Sequence, residues 1–132
     1  MFDNKIYDIL INELKNSYSP YSNFNVAAVL VTKEGDIYTG CNIENASYSA
    51  TVCAERTAIF KAISEGHNDF KMIAIAGGYK GKIEDECKPC GVCLQVLTEF
   101  CDSDFKIYLI NGENSYKEYM LKDFLPKPFD LN

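Results

Sequence analysis

The amino-acid sequence predicts an α/β fold in which helices cover both faces of a mixed, mainly parallel central sheet of about five strands. Three observations lead to this prediction, and the first two are a hairpin pattern in the first third of the chain and an alternation of helical and strand patterns after it. The third is length, because 132 residues can bury one hydrophobic core but not two. We therefore expect residues 1–132 to form a single three-layer α/β/α sandwich.

The first fifteen residues predict an amphipathic helix. Their apolar side chains recur at helical spacing, and Asp3 precedes them as a candidate N-cap. A loop rich in Ser, Asn, Tyr and Pro follows at 17–25, and the apolar run at 26–32 predicts a buried strand. Residues 33–36 provide a turn with a glycine, so that 37–41 can return as an antiparallel partner and complete a hairpin.

Helical and strand patterns alternate in the rest of the chain. A helix is predicted from Cys53 to the neighbourhood of Gly66, which is suited to a left-handed C-cap. The stretch 77–89 has no hydrophobic periodicity and therefore predicts a loop. Loops of this length are often functional. The remaining predicted elements are a strand at 72–76, a helix from the second cysteine cluster to Cys101, a strand at 106–110 and a short element at 121–125.

Charge and hydropathy exclude several classes of partner. The net charge is −6 and no block of lysine or arginine occurs, which argues against nucleic acid as a partner. The N-terminus has no basic region, and no apolar run approaches the roughly 18 residues of a membrane span. We therefore expect a cytoplasmic protein with no membrane partner. In that reducing compartment the six cysteines are expected to be thiols or metal ligands.

Three of the cysteines have the spacing of a zinc site. Cys90 and Cys93 stand three residues apart at a predicted helix start, where they share a face, and Cys53 begins an earlier helix. Thiolates are stabilised at helix N-termini and select zinc or a similarly soft metal. Three protein ligands leave a fourth position for water, so the spacing predicts one catalytic Zn²⁺ per chain. Glu55 is then the natural proton shuttle.

Three thiolates exceed the charge of the metal and oppose the acidification of its water. Arg56 is the candidate cation that hydrogen-bonds a ligand sulfur and restores this acidity. A closed structural site, with four cysteines and no chemistry, is the competing hypothesis. Its ligands would be Cys87, Cys90, Cys93 and either Cys53 or Cys101.

Five segments carry a resemblance to a known family. They read YSNFNVAA at 21–28, NIENASY at 42–48, CAER at 53–56, PCGVCLQVL at 89–97 and LPKPF at 125–129. The third and fourth match the zinc deaminase signature H-x-E…P-C-x-x-C with cysteine in place of histidine. The chain thus resembles the small homotetrameric cytidine deaminase family over nearly its whole length.

This resemblance implies hydrolytic deamination of cytidine and deoxycytidine to uridine and deoxyuridine plus ammonia, in pyrimidine nucleoside salvage. Zinc-bound hydroxide would attack C4 of the base, and Glu55 would carry the proton to N3 and help ammonia depart. These implied roles agree with general acid–base chemistry. Within the same class, a deaminase of the blasticidin S type and a nucleic-acid editor are alternatives. The segment 42–48 favours ordinary nucleosides, and the lack of a basic surface disfavours editing.

The resemblance also implies substrate contacts. Asn42 and Glu44 would hold ribose hydroxyls, although both could instead serve only the turn after the hairpin. A carboxylate at Glu44 would repel a phosphate, which favours the free nucleoside. Phe129 would reach from one subunit to the base in another, which implies a homotetramer with shared active sites. The implied contacts are Phe24, Asn42, Glu44, Ala46, Tyr48, Ala54 and Phe129.

Three positions depart from the family pattern. Ala27 stands in place of a glycine, Lys88 in place of a serine, and Leu94 in place of an arginine. None of the three is a predicted ligand or the proton shuttle. We expect them to affect substrate preference or the charge of an interface.

Overall fold

The computed structural model describes residues 4–131. Three longer helices, one short helix and five strands occur in this part of the chain. In chain order they are α1 (Asn4–Leu14), β1 (Phe24–Thr32), β2 (Ile37–Cys41), α2 (Ala54–Ser64), β3 (Phe70–Tyr79), α3 (Gly91–Phe100), β4 (Lys106–Gly112), β5 (Ser115–Met120) and α4 (Leu121–Phe124). A single 3₁₀ turn, Tyr48–Ala50, precedes α2. The candidate N-cap Asp3 lies outside the described residues.

The five strands form one mixed sheet in the order β2-β1-β3-β4-β5, and this confirms the predicted α/β class with a five-stranded mixed sheet. The expectation that the sheet is mainly parallel is wrong. Only β3 and β4 pair in parallel, whereas β1 is antiparallel to both β2 and β3, and β4 is antiparallel to β5. The reason is that β3 inserts beside β1 rather than beside β2, so that the strand leaving α2 meets a neighbour running the opposite way.

The sheet separates two apolar layers. Alternate residues of a strand point to opposite faces, so Ala27 and Val29 of β1 pack with the α1 side chains Leu10 and Leu14. Ala28 and Leu30 face the other way and pack with α2 and α3. Helices therefore cover both faces of the sheet, as a three-layer sandwich requires.

Helix α2 lies unusually close to β2. A methyl group built on Gly40 would stand 2.5 Å from the backbone nitrogen of Ala58 and closer still to the backbone oxygen of Ala54. Ala54 and Ala58 are fully buried at this contact. Small residues on both elements thus seat the first turn of α2 directly on the sheet.

Strand β5 was absent from the sequence prediction. Its first four residues are exposed and only its last two are half-buried, because β5 is an edge strand with no core of its own to cover. Polar residues are common at sheet edges, and they conceal the period-two signal of a strand. Within residues 4–131, no helix has the length and apolarity needed to cross a bilayer.

Candidate metal centre

Two helix starts bring the three predicted ligands together. Cys53 is the N-cap of α2 and Cys90 is the N-cap of α3, both with extended backbone. Cys93 follows within the first turn of α3, where it is buried, and its backbone N–H donates to Cys90 Sγ over 3.4 Å. Free N–H groups and helix dipoles at these N-termini stabilise negative sulfur. The predicted positions of the cysteines at helix starts are therefore confirmed.

The sulfur atoms have the separations of a zinc site. Cys53 Sγ lies 3.6 Å from Cys90 Sγ, which lies 3.5 Å from Cys93 Sγ, and all three fall within 4.8 Å of one another. A tetrahedral ion with Zn–S bonds of about 2.3 Å separates its sulfurs by about 3.8 Å. The three thiols thus fit zinc and leave one ligand position for another group.

The closed four-cysteine hypothesis is not supported by this geometry. Within residues 4–131, the group of Cys53, Cys90 and Cys93 is the only one with three or more candidate ligand atoms close enough to share an ion. Cys87 and Cys101 do not belong to it. Burial raises the pKa of each of these two thiols to about 12, which disfavours the thiolate form that a metal requires.

Arg56 provides positive charge beside the sulfurs. Its Nη2 lies 3.5 Å from Cys53 Sγ, in the position expected for a cation that offsets thiolate charge. Hydrogen bonds from Cys93 and then Arg56 outweigh burial and lower the pKa of the Cys53 thiol. Cys53 is therefore prepared to bind a metal as a thiolate.

Glu55 lies in the first turn of α2 with only 4% of its surface exposed. It lines a cavity of about 140 Å³ together with Cys53, Cys90 and Asn42. Burial is the main cause that raises the pKa of Glu55 to about 7, and the nearby Cys53 adds to it. A carboxyl group whose pKa lies near neutrality is suited to take up and release a proton.

Asn42 lines the same cavity, and its amide has a fixed orientation. The Oδ1 atom accepts hydrogen bonds from Val26 N at 3.0 Å and from Ser17 Oγ. The Nδ2 atom donates to the Phe24 carbonyl at 2.8 Å. Its oxygen is therefore occupied, and one N–H remains to act as a donor.

Glu44 lines a neighbouring hollow of about 270 Å³ with Tyr21, Tyr48 and Thr51. Thr51 also lines the Glu55 cavity, so the two hollows adjoin. The Glu44 carboxylate accepts hydrogen bonds from the backbone of Tyr21 and Ser22 and from the Ser22 hydroxyl. The bond from the Ser22 hydroxyl is the main cause that lowers the pKa of Glu44.

The other expected substrate contacts fall into two groups. Ala54 is buried and lines the Glu55 cavity, and the exposed Tyr48 lines the Glu44 hollow, whereas Phe24 and Ala46 are exposed and line neither hollow. Phe129 is 69% exposed and lies against α3, where Gln95 Nε2 donates to its carbonyl at 3.0 Å. In the described part of the chain, Phe129 lines neither hollow.

The three departures from the pattern have different surroundings. Ala27 is fully buried on the α1 face of the sheet, and Leu94 is buried in the core between the sheet and α3. Lys88 lines the Glu55 cavity and forms an ion pair of 3.9 Å with Glu86. Lys88 is thus the one departure that lies beside the site.

Sequence reasoning gave no role to Ser17 and Ser22, which bind Asn42 and Glu44. Ser22 belongs to the segment 21–28, but nothing in its residue type indicates a partner 22 positions away. Only the fold places these hydroxyls against the two polar side chains.

The fold and the site define an α/β protein with a three-cysteine zinc-binding centre and a buried carboxylate beside it. Residues 1–109 match the family model of the cytidine and deoxycytidylate deaminase zinc-binding region. The chain belongs to this family.

Named relatives agree with this assignment. The cytidine deaminase of Sporosarcina psychrophila is 44% identical over 115 residues, which are 87% of this chain and 82% of the relative. That of Halalkalibacterium halodurans is 44% identical over 125 residues, 92% of each chain. The crystal structure of cytidine deaminase from Burkholderia pseudomallei superposes with a TM-score of 0.87 at 36% identity, covering 98% of this chain and 100% of that one.

Proposed function

We propose that this protein is a zinc-dependent cytidine deaminase that hydrolyses cytidine and deoxycytidine to uridine and deoxyuridine with release of ammonia. The observation that carries the proposal is the buried Glu55 beside three converging sulfurs, a centre with acid–base chemistry and an open ligand position. The named relatives, which are cytidine deaminases, point to the same substrate.

The metal would be held by Cys53, Cys90 and Cys93. When bound, zinc acts as a Lewis acid that lowers the pKa of water toward roughly 7. Arg56, at 3.5 Å from Cys53 Sγ, offsets part of the thiolate charge and so preserves that acidity.

Glu55 moves the protons of the reaction. Its carboxylate takes a proton from water and delivers it to N3 of the cytosine ring, which makes C4 more electrophilic. The carboxylate then takes the proton of the hydroxyl group added at C4 and gives it to the amine, so that the C4 carbonyl forms as ammonia departs. Because Glu55 is almost fully buried, bulk water does not compete for these protons.

The nucleoside would occupy the two adjoining hollows, with the base beside Glu55 and the sugar toward Glu44. Ala54 would offer its backbone to the base, and Phe24, exposed at the start of β1, would close over the bound nucleoside. The free N–H of Asn42 and the Glu44 carboxylate would bind sugar hydroxyls, with Tyr48 at the rim of the Glu44 hollow and the exposed Ala46 as a further contact. The negative charge of Glu44 disfavours a nucleotide phosphate.

We further propose a homotetramer with active sites shared between subunits. Phe129 is exposed and lies away from the hollows of its own chain, which fits a side chain that stacks on a base in a neighbouring subunit. Tyr48, 80% exposed at the rim, is a second residue available to an interface.

Hybrid assemblies test this arrangement. Phe129→Ala and Glu55→Gln chains, each nearly inactive alone, are co-expressed with different tags and isolated together. Some sites in the hybrid combine an intact Glu55 with an intact Phe129 from the partner, so activity should reappear. A monomer by light scattering, or a hybrid without regained activity, contradicts the shared site.

We also infer that residues 1–132 act as a single domain in the cytoplasm, in pyrimidine nucleoside salvage. All six cysteines are free thiols, as a reducing compartment requires. The acidic composition offers no basic surface to a nucleic acid.

Loss of ultraviolet absorbance with cytidine, deoxycytidine and CMP as substrates tests the function, alongside a metal assay. We expect one zinc per chain and turnover of both nucleosides, but not of CMP. Glu55→Gln should keep the zinc and lose about 10²–10⁴-fold in kcat, the usual contribution of a general acid–base. Glu65→Gln, at the exposed C-terminal end of the same helix, is the matched control with normal activity. Bound zinc without turnover, or exclusive activity on blasticidin S or single-stranded oligonucleotides, would refute the proposal.

A further inference from the structure

The loop before β1 surrounds the Glu44 carboxylate with hydrogen-bond donors. Oε1 accepts from Tyr21 N at 3.0 Å and from Ser22 N at 3.1 Å, and Oε2 accepts from the Ser22 hydroxyl. Three donors therefore fix a side chain that stands at the surface, where a glutamate is ordinarily free to rotate. This arrangement indicates that the orientation of Glu44 matters.

The direction of the Ser22 hydroxyl follows from its other bond. Phe24 N donates to Ser22 Oγ at 3.0 Å, so the oxygen is already an acceptor on that side. Its single proton is then available to Glu44 Oε2. The hydroxyl thus links the start of β1 to the carboxylate.

The backbone of the loop is held in place independently of Glu44. Asn23 has a φ of +59°, a left-handed conformation that asparagine tolerates better than most residues. Its N–H donates to the Ser19 carbonyl at 2.9 Å, and its carbonyl accepts from Lys80 N at 2.6 Å. Ser22 is therefore presented to Glu44 by a loop that is anchored on both sides.

These three donors leave the Glu44 carboxylate with a defined number of free hydrogen-bond acceptor positions. Oε1 has two N–H partners and is saturated, whereas Oε2 has only the Ser22 hydroxyl and retains one acceptor position. The bond from the Ser22 hydroxyl also lowers the pKa of Glu44, which keeps the group ionised at neutral pH. Glu44 can therefore accept one further hydroxyl group, and it does so as a carboxylate.

We propose that Ser22 is a positioning residue, whose hydroxyl holds Glu44 so that the free acceptor position of Oε2 receives a sugar hydroxyl of the nucleoside. This inference rests on the proposed function of Glu44 in nucleoside binding. Ser22 itself need not touch the substrate, because it acts through the carboxylate.

Steady-state kinetics of Ser22→Ala test the proposal. KM for cytidine should rise roughly 3–10-fold, as expected when a partly exposed hydrogen bond to a charged group is lost, and kcat should stay within about twofold because the acid–base group is untouched. Ser64→Ala is the matched control, since Ser64 is an exposed serine whose hydroxyl binds a carbonyl of its own helix. It should leave KM unchanged.

Two comparisons separate positioning from a general structural role. With 2′,3′-dideoxycytidine, which has no sugar hydroxyl at those positions, Ser22→Ala should leave KM unchanged relative to wild type. In a Glu44→Ala background, Ser22→Ala should add no further loss, because the group through which it acts is gone. An equal loss on both nucleosides, or additive losses in the double variant, would overturn the proposal.

A measurement that does not depend on turnover keeps this inference distinct from the proposed function. Carbon-13 NMR of labelled glutamate carboxyl groups, with Glu44→Gln to assign the signal, reports the titration of Glu44. Its pKa should lie below the ordinary value of about 4.3 in wild type and rise in Ser22→Ala. An unchanged pKa would overturn the role of Ser22 even in an active enzyme, whereas wild type without turnover of cytidine would refute the proposed function instead.

Discussion

A single methyl group at Gly40 should displace the helix that carries the metal ligand and the proton shuttle. In Gly40→Ala the new carbon would stand 2.5 Å from Ala58 N, whereas ordinary van der Waals contacts begin at 3.4 Å. The two nearest atoms, Ala54 O and Ala58 N, belong to the backbone of α2, and the third, Ala58 Cβ at 3.0 Å, is fixed to that backbone, so no side-chain rotation relieves the clash. Helix α2 must therefore move by about 0.9 Å or the strand must deform.

The free-energy cost of this overpacking can be taken from methyl additions to the interiors of other proteins. Adding a methyl group to a well-packed interior costs about 1–3 kcal/mol. An unfolding entropy of about 2.1 cal/mol/K per residue amounts to about 0.28 kcal/mol/K for 132 residues. The melting temperature of Gly40→Ala should therefore fall by about 4–11 °C.

The same shift should weaken zinc binding. Cys53 stands at the N-terminus of α2, and metal–ligand distances tolerate changes of only about 0.2 Å. We expect zinc affinity to fall about 10–100-fold, as when groups that orient metal ligands are lost.

Thermal unfolding by circular dichroism and competition with a zinc chelator measure the two effects. Gly112→Ala is the matched control, because its added carbon would meet only Ser115 Cβ, at an ordinary 3.6 Å. A melting temperature and a zinc affinity of Gly40→Ala that both equal those of the control would refute the reasoning.

Two further experiments concern the cysteines, one on zinc retention and one on thiol reactivity. Cys87→Ser should retain one zinc per chain in a metal assay, since Cys87 lies outside the sulfur cluster; loss of zinc would revive the closed four-cysteine site. Alkylation at pH 8, followed by mass spectrometry, should be slow at Cys87 and Cys101 with or without a chelator, because burial raises the pKa of each thiol to about 12 and only the thiolate reacts. Removal of zinc should expose Cys53 to rapid alkylation, because hydrogen bonds from Cys93 and Arg56 lower its pKa and favour the thiolate; rapid labelling of Cys101 in the native protein would contradict its raised pKa.

The comparison of sequence with structure separates local from non-local information. Helices α2 and α3 were predicted at their true starts because a helix start and the i, i+3 spacing of Cys90 and Cys93 are set by neighbouring residues. The hairpin of β1 and β2 was also predicted, since a short turn joins two apolar runs.

The parallel character of the sheet was misjudged for a non-local reason. The alternation of helices and strands along the sequence does not specify which strand of the sheet each new strand will pair with. Here β3 pairs along its length with β1, from Phe24 opposite Tyr79 to Val31 opposite Met72. This pairing depends on the packing of both apolar faces of the sheet, so it cannot be predicted from any short segment of the sequence.

The sequence by itself predicted the class of fold, three cysteines as candidate zinc ligands and Glu55 as the candidate acid–base residue, because these predictions depend on residue type, on the order of helical and strand patterns and on the signals of a helix start. Only the tertiary structure decided the strand order, the 3.6 Å approach of Cys53 to Cys90 and the bond from Ser22 to Glu44. These contacts join residues 22 to 37 positions apart in the chain. They form only when the burial of both faces of the sheet brings separate segments together, since loop closure costs entropy that local signals cannot repay.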